Sequence, residues 1–210
     1  MNEFSLLDQR PIIIALAGHN GAGKTTFFHS HLQAAGLRFF NADEVARELG
    51  LGAYEAAEVV AALRRKAVST RESFVFETVP SDPVGEKVKF LKQAAEQGYA
   101  PVLIFIGLAN PKLSEQRVHI RVLQGEQDVP REKLHQRFPR TLGNLKLALQ
   151  ELRFVIVYDN SYLNQPYQRV AVFENGTARF LKSDMPSWFR GLIRVGGGGR
   201  AKKRGAGVEH

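Results

Sequence analysis

The run Gly18-His19-Asn20-Gly21-Ala22-Gly23-Lys24-Thr25 fits the spacing G-x-x-x-x-G-K-[ST], which wraps backbone amides around a polyphosphate. Glycines let such a loop turn tightly and present successive N–H groups to phosphate oxygens. A helix that follows adds unpaired N–H groups and the positive end of its dipole. In this pattern Lys24 reaches the β- and γ-phosphates and the Thr25 hydroxyl holds Mg²⁺. These eight residues, with Thr26 behind them, form the candidate nucleotide site, and ATP and Mg²⁺ are its expected cofactors. The competing reading is a glycine-rich turn with an exposed lysine. His19 and Asn20 fill free positions of the pattern and read as loop side chains facing solvent.

Phosphoryl transfer also needs a carboxylate near the acceptor hydroxyl and cations around the moving group. Asp43 is the first candidate for the carboxylate. It lies just beyond a short strand, where Asn41 or Asp43 followed by Glu44 would equally start a helix as its N-cap. Glu77, with Thr78 next to it, follows Phe74-Val75-Phe76; it could hold acceptor hydroxyls or a water on Mg²⁺, or be an exposed carboxylate at a strand end. Arg117 and Arg121, four apart on one helical face, could swing over the phosphates as a lid, and Arg137 and Arg140 follow in the next helical stretch. The alternative for each arginine is a solvated basic face.

The elements that must place these groups alternate. Ile12 to Ala17 is an apolar run that reads as a buried strand, and Thr26 to Gly36 reads as a helix closed by glycine. Leu37–Phe40 reads as a short second strand. Helical spacing covers Val45–Leu49 and Tyr54–Val68, separated at Gly50 and Gly52. Ser73–Phe76 is a third strand, and Pro83–Gln97 a helix beginning after Asp82. Pro101–Ile106 is a fourth strand. Helices over Lys112–Gln124 and Arg131–Glu151, the second interrupted or bent around Pro139 and Gly143, make a lid region at about 111–150. Arg153–Tyr158 is the last core strand, and Arg169–Phe173 with Thr177–Leu181 reads as a hairpin. Strand–helix alternation with uniformly apolar strands predicts an α/β fold: a P-loop NTPase-type parallel sheet with helices on both faces, a helical lid and a C-terminal β-hairpin. Asp43, Glu77 and Thr78 would then fall just past the carboxyl ends of strands, on the edge that carries Lys24.

Composition narrows the alternatives. A chain of 210 residues suits one domain with a tail: a kinase-like domain over 1–189 and a Gly-rich basic tail over 190–210, expected to be disordered. Most of the net charge of +8 sits in that tail, in Arg190, Arg194, Arg200, Lys202, Lys203 and Arg204 against Glu209. A solvated terminus is preferred there over a nucleic-acid partner. With no cysteine there are no disulfides or thiolate zinc sites, and His29 and His31, two apart on a helix, make a poor metal pair. No apolar run reaches the length of a membrane span, and Glu3 and Asp8 ahead of Ile12 are not the basic start of a signal peptide, so no membrane is expected and the chain reads as cytoplasmic.

In this frame the chain resembles the zeta-toxin family of P-loop kinases, particularly its compact stand-alone members. The resemblance runs from the first strand to about Ser161. It rests on the phosphate loop, Asn41-Ala42-Asp43, Phe76-Glu77-Thr78 with Ser81, and Gly98-Tyr99 before a strand ending Gly107-Leu108. Arg121-Val122 with Gly125 and Asp128-Val129-Pro130, Arg137 to Leu142 with Asn144-Leu145, and Tyr158-Asp159-Asn160-Ser161 complete the set. The resemblance implies ATP-dependent phosphorylation of a small-molecule hydroxyl, the amino sugar of UDP-N-acetylglucosamine in characterised members, and an antitoxin protein as partner. It implies that Lys24 contacts phosphates, Asp43 is the base, Glu77 helps hold the acceptor and Arg121 belongs to the lid. Two departures stand out: Glu126-Gln127 after Gly125, where Gly-His is expected, and Pro80, where an apolar non-proline residue is expected.

Other functions remain in view. A housekeeping sugar or nucleoside kinase would use the same residues. A nucleotide-regulated binding module would use the basic tail on nucleic acid. A GTPase is disfavoured because no Asn-Lys-x-Asp motif occurs.

Overall fold

The computed structural model describes residues 8–125 and 128–194. Strand β1 (Ile12–Gly18) is buried along its whole length, as its unbroken apolar sequence requires of a strand covered on both faces. It pairs in parallel with β3 (Phe74–Thr78) on one side and β4 (Ala100–Gly107) on the other. Strand β2 (Arg38–Phe40) joins β3, and β5 (Phe154–Asp159) joins β4, all parallel. The hairpin β6 (Gln168–Glu174) and β7 (Thr177–Leu181) extends the same sheet antiparallel to β5, giving the order β2-β3-β1-β4-β5-β6-β7. Connections leave β1 and β4 toward opposite edges of the sheet. The loop after β1 therefore sits where strand order switches, the place at which open α/β sheets bind ligands.

Odd and even positions of the strands feed two separate cores. Ile13, Ala15 and Ala17 join Phe74, Phe76 and Phe105 on one face. Ile12, Ile14 and Leu16 join Val75, Ile104 and Ile106 on the other. The helices that cover them are α1 (Lys24–Phe27), α2 (Ala42–Leu49), α3 (Ala53–Ser69), α4 (Glu86–Glu96), α5 (Pro111–Leu123), α6 (Arg131–Glu151) and α7 (Ser187–Arg194). Among the described residues no helix is long and apolar enough to cross a membrane.

Several boundaries differ from those the sequence predicts. Helix α1 widens into a π-helical stretch, Phe28–Leu32, and tightens into a 3-10 turn, Gln33–Ala35, before Gly36 in the left-handed region ends it. His29 and His31 lie on its exposed side. Strand β3 continues through Glu77 and Thr78, because Leu16 and Ala17 of β1 remain to be paired. Those two residues therefore occupy the strand's last positions and do not follow it. Helix α4 starts at Glu86, three residues late: Gly85 has φ 69°, outside the helical well, and the Asp82 carboxylate caps the amides of Val84 and Glu86. Helix α6 runs unbroken through Pro139 and Gly143.

The largest difference is at the C-terminal end. Ser187–Arg194 is a helix that buries Trp188 and Phe189, and the Trp188 indole N–H donates to the Asp159 carboxylate at 3.0 Å. Arg190 and Arg194 thus belong to the helix, which crosses the boundary expected at 189. Residues 195–210 of the expected tail lie outside the described residues, as do Glu126 and Gln127.

Candidate active site

The loop from Gly18 to Lys24 is held from behind. The Lys24 ammonium donates to the His19 carbonyl at 3.0 Å, Ser114 of α5 donates to the Asn20 carbonyl at 2.7 Å, and the Asn160 amide donates to the Ala22 carbonyl at 2.9 Å. The Tyr167 hydroxyl donates to the Gly23 carbonyl at 2.9 Å. A trans peptide sets each carbonyl opposite the next residue's N–H. Fixing the carbonyls of Asn20, Ala22 and Gly23 from Ser114, Asn160 and Tyr167 therefore turns the amides of Gly21, Gly23 and Lys24 the other way, as an anion cradle requires. Gly18, Gly21 and Gly23 all have positive φ. At Gly18 a Cβ would lie 2.2 Å from the Ile106 carbonyl oxygen, and at Gly23 it would meet Tyr167 and Asn160 under 3 Å, so side chains are excluded where the loop closes.

Lys24 is only 5% exposed, and its Nζ lies 3.5 Å from Glu77 Oε1. The Thr25 hydroxyl donates to Glu77 Oε2 at 2.7 Å, and the Asn41 amide donates to the same oxygen at 3.2 Å. Strand β3, register-locked to β1, thus delivers a carboxylate against the first turn of α1. An ammonium, a hydroxyl and a carboxylate held this way fit a magnesium-bound polyphosphate: magnesium takes oxygen ligands and keeps waters that a nearby carboxylate can orient. Thr26 is exposed on the outer side of the same turn.

Asn41 is the N-cap of α2, its side-chain oxygen accepting from the Asp43 amide at 2.9 Å. Asn41, and not Asp43, is therefore the cap. The Asp43 carboxylate stands in the first turn of α2 and lines a cleft of about 380 Å³. Asn20, Lys24, Glu77, Thr78, Arg121 and Arg137 share that lining. Asp43 and the loop that ends at Lys24 therefore open into one hollow. Two of the four arginines expected over the phosphates do not line it. Arg117 packs its Cβ beside Gly21 and donates to the Ser161 carbonyl at 3.4 Å, while burial lowers its pKa. Arg140 points to solvent.

His19 overturns a second expectation. Its ring is 2% exposed, stacked 3.8 Å from Phe138 of α6 and edge-on to Phe105. Burial, with Lys24 adding to it, pushes its pKa down to about 3, and Nε2 has no hydrogen-bond partner. A free pattern position carries no signal of this, because the partner ring lies 119 residues away in sequence. Ser114 and Tyr167 were equally silent. Asn160 stands in a motif of the resemblance, though its role as a brace appears only in the folded chain. Pro80 proves structural: Ser81 N bonds Val79 O across it at 2.8 Å, an i→i+2 turn suited to proline's fixed φ, and its carbonyl accepts from Asn144 of α6.

No curated protein matches the chain in sequence. Residues 13–138 match the family described as an AAA domain, more than half of the chain. Among solved structures, a chain of the AvrRxo1-ORF1:-ORF2 complex crystallised with ATP superposes with a TM-score of 0.69 at 15% identity, over 90% of this chain and 66% of that one. This chain thus spans just under two thirds of that relative. A chain from the PezAT chromosomal toxin–antitoxin system of Streptococcus pneumoniae superposes with a TM-score of 0.58 at 20% identity, over 92% of this chain and 88% of that one. The chain belongs to the AAA domain family and shares its fold with these AvrRxo1 and PezAT chains.

Proposed function

We propose that the protein is an ATP-dependent phosphotransferase that moves the γ-phosphate to a hydroxyl of a small molecule, a UDP-amino sugar being the acceptor the zeta-toxin resemblance suggests. One observation carries the reading: a braced cradle of amides and Lys24 opens into the same cleft as the carboxylates of Asp43 and Glu77. The cradle holds the β- and γ-phosphates and Lys24 offsets charge on the departing oxygen. Asp43 takes the acceptor proton as the hydroxyl oxygen bonds to the γ-phosphorus and the bond to the β-phosphate oxygen breaks, releasing ADP. Thr25 and Glu77 would hold magnesium, which would supply neutralisation of phosphate charge. Arg121 and Arg137 reach the cleft from α5 and α6, on the side from which a lid would close. By analogy with the S. pneumoniae system, an antitoxin protein is the proposed macromolecular partner.

The test is incubation with γ-labelled ATP, magnesium and a panel of nucleotide sugars, sugars and nucleosides, with products identified by mass spectrometry. A phosphorylated small molecule, absent with Lys24→Ala, is expected. ATP uptake without any phosphorylated product, or product formation unchanged by Lys24→Ala, would overturn the reading.

A further inference from the structure

Arg64, in α3, is a buried cation that the nucleotide does not need. It is 8% exposed, its Nε has no hydrogen-bond partner, and among the described residues no carboxylate forms an ion pair with it. Its guanidinium carbon lies 4.6 Å from the centroid of Phe76 and 5.3 Å from that of Phe90. Burial lowers its pKa, and Glu86 opposes that shift only in part. The Glu86 carboxylate is itself 3.3 Å from the Lys87 ammonium. Buried charges are ordinarily paired, because leaving water without a counter-charge is costly. Two phenyl rings alone do not replace a carboxylate as partner.

The position of this charge is informative. Arg64 and Lys87 line the cleft that holds Asp43 and Glu77, and both also line a second cavity of about 530 Å³ between α3 and α4. Phe76, beneath the guanidinium, directly precedes Glu77 in β3, whereas the phosphate cradle follows β1, one strand away. The charge therefore belongs to the acceptor half of the cleft. We propose that Arg64, with Lys87 beside it, binds an anionic group of the acceptor, a carboxylate or phosphate carried by the molecule whose hydroxyl is phosphorylated. A guanidinium stacked on rings keeps its N–H edges free, and its planar fork matches either group in bidentate fashion. An acceptor anchored there presents its hydroxyl toward Asp43, so neutral hydroxyl compounds are poor substrates. The acceptor role rests on the phosphotransferase reading; the anion site does not.

The experiment separates the two. The full chain is saturated with magnesium and a non-hydrolysable ATP analogue, which fills the phosphate cradle. Calorimetric titration with malonate and, separately, pyrophosphate then reports a second anion and whether carboxylate or phosphate is preferred. The wild-type chain binds one further anion. Arg64→Met weakens that binding at least tenfold, and Arg64→Lys, which keeps the charge without the fork, recovers part of it. Should Arg64→Met fail to bind the nucleotide analogue because it misfolds, Arg64→Lys and Lys87→Met carry the test, each weakening anion binding. Absence of a second anion in the wild type, or equal binding by the variants, overturns the site. Anion binding through Arg64 in a chain that transfers phosphate to no hydroxyl keeps the site and removes the phosphotransferase reading.

Discussion

His19 joins the phosphate loop to α6, and its burial as a neutral ring has a consequence for stability. Its pKa is about 3 when folded against an ordinary value near 6.5, so the unfolded chain binds a proton that the folded chain refuses. Stability therefore falls as pH drops below about 6.5, by at most about 1.4 kcal/mol per pH unit from this group. Urea midpoints between pH 7 and 5, above the range where carboxylates titrate, should show that slope in the native chain and lose it in His19→Leu. A slope equal in both would mean that the ring is not buried neutral. Asp43 is the residue to test for proton removal. Asp43→Asn should bind nucleotide normally and lower transfer by roughly two or more decades, the range for a lost general base. Full transfer by that variant in a single-turnover assay would assign the proton elsewhere. Local spacing was enough to place Lys24 and Thr25 at the start of α1, where the structure has them. It was not enough for His19, Ser114, Tyr167 and Arg64, whose roles arise from partners distant in the chain.

At the scale of elements, every strand and helix that periodicity suggested is present, since the pattern of apolar residues reflects which face is buried. What periodicity could not supply were ends governed by pairing or capping, such as the extension of β3 and the delayed start of α4. Helix α7 went unread because its tryptophan and phenylalanine lie next to a glycine- and arginine-rich stretch whose composition dominates the window. Its seat is specific. The Trp188 ring fills the space above Gly107, where a Cβ would come within 2.3 Å of it, and bonds Asp159, the neighbour of the Asn160 that braces the loop. Trp188→Ala should destabilise the fold by about 3–5 kcal/mol, as expected for a large buried aromatic, measured by urea unfolding. It should also weaken nucleotide affinity through the shared β5 end. A loss under 1 kcal/mol would show that α7 is not part of the cooperative fold.

For the whole molecule, the distribution of charge matters more than its sum. The cations inside residues 8–194 include Lys24, Arg64, Arg121 and Arg137, which line one cleft and would raise the local concentration of anions there. Residues 195–210 contribute Arg200, Lys202, Lys203 and Arg204 against Glu209. If phosphoryl transfer is the function, only the first group is needed. A chain ending at Arg194 should therefore keep its turnover and melting temperature. One ending at Pro186 should lose stability with α7. Any affinity of the full chain for DNA should vanish in the chain ending at Arg194, and the full chain's logarithmic salt slope should be no steeper than about −3.6, the limit for four phosphate contacts. A binder driven by the terminal cations would behave oppositely, losing its activity at Arg194 while its fold survived. Turnover that persists at about 0.3 M salt in the shortened chain would place the working charge inside the cleft, since partly buried cations are screened far less than solvent-exposed ones.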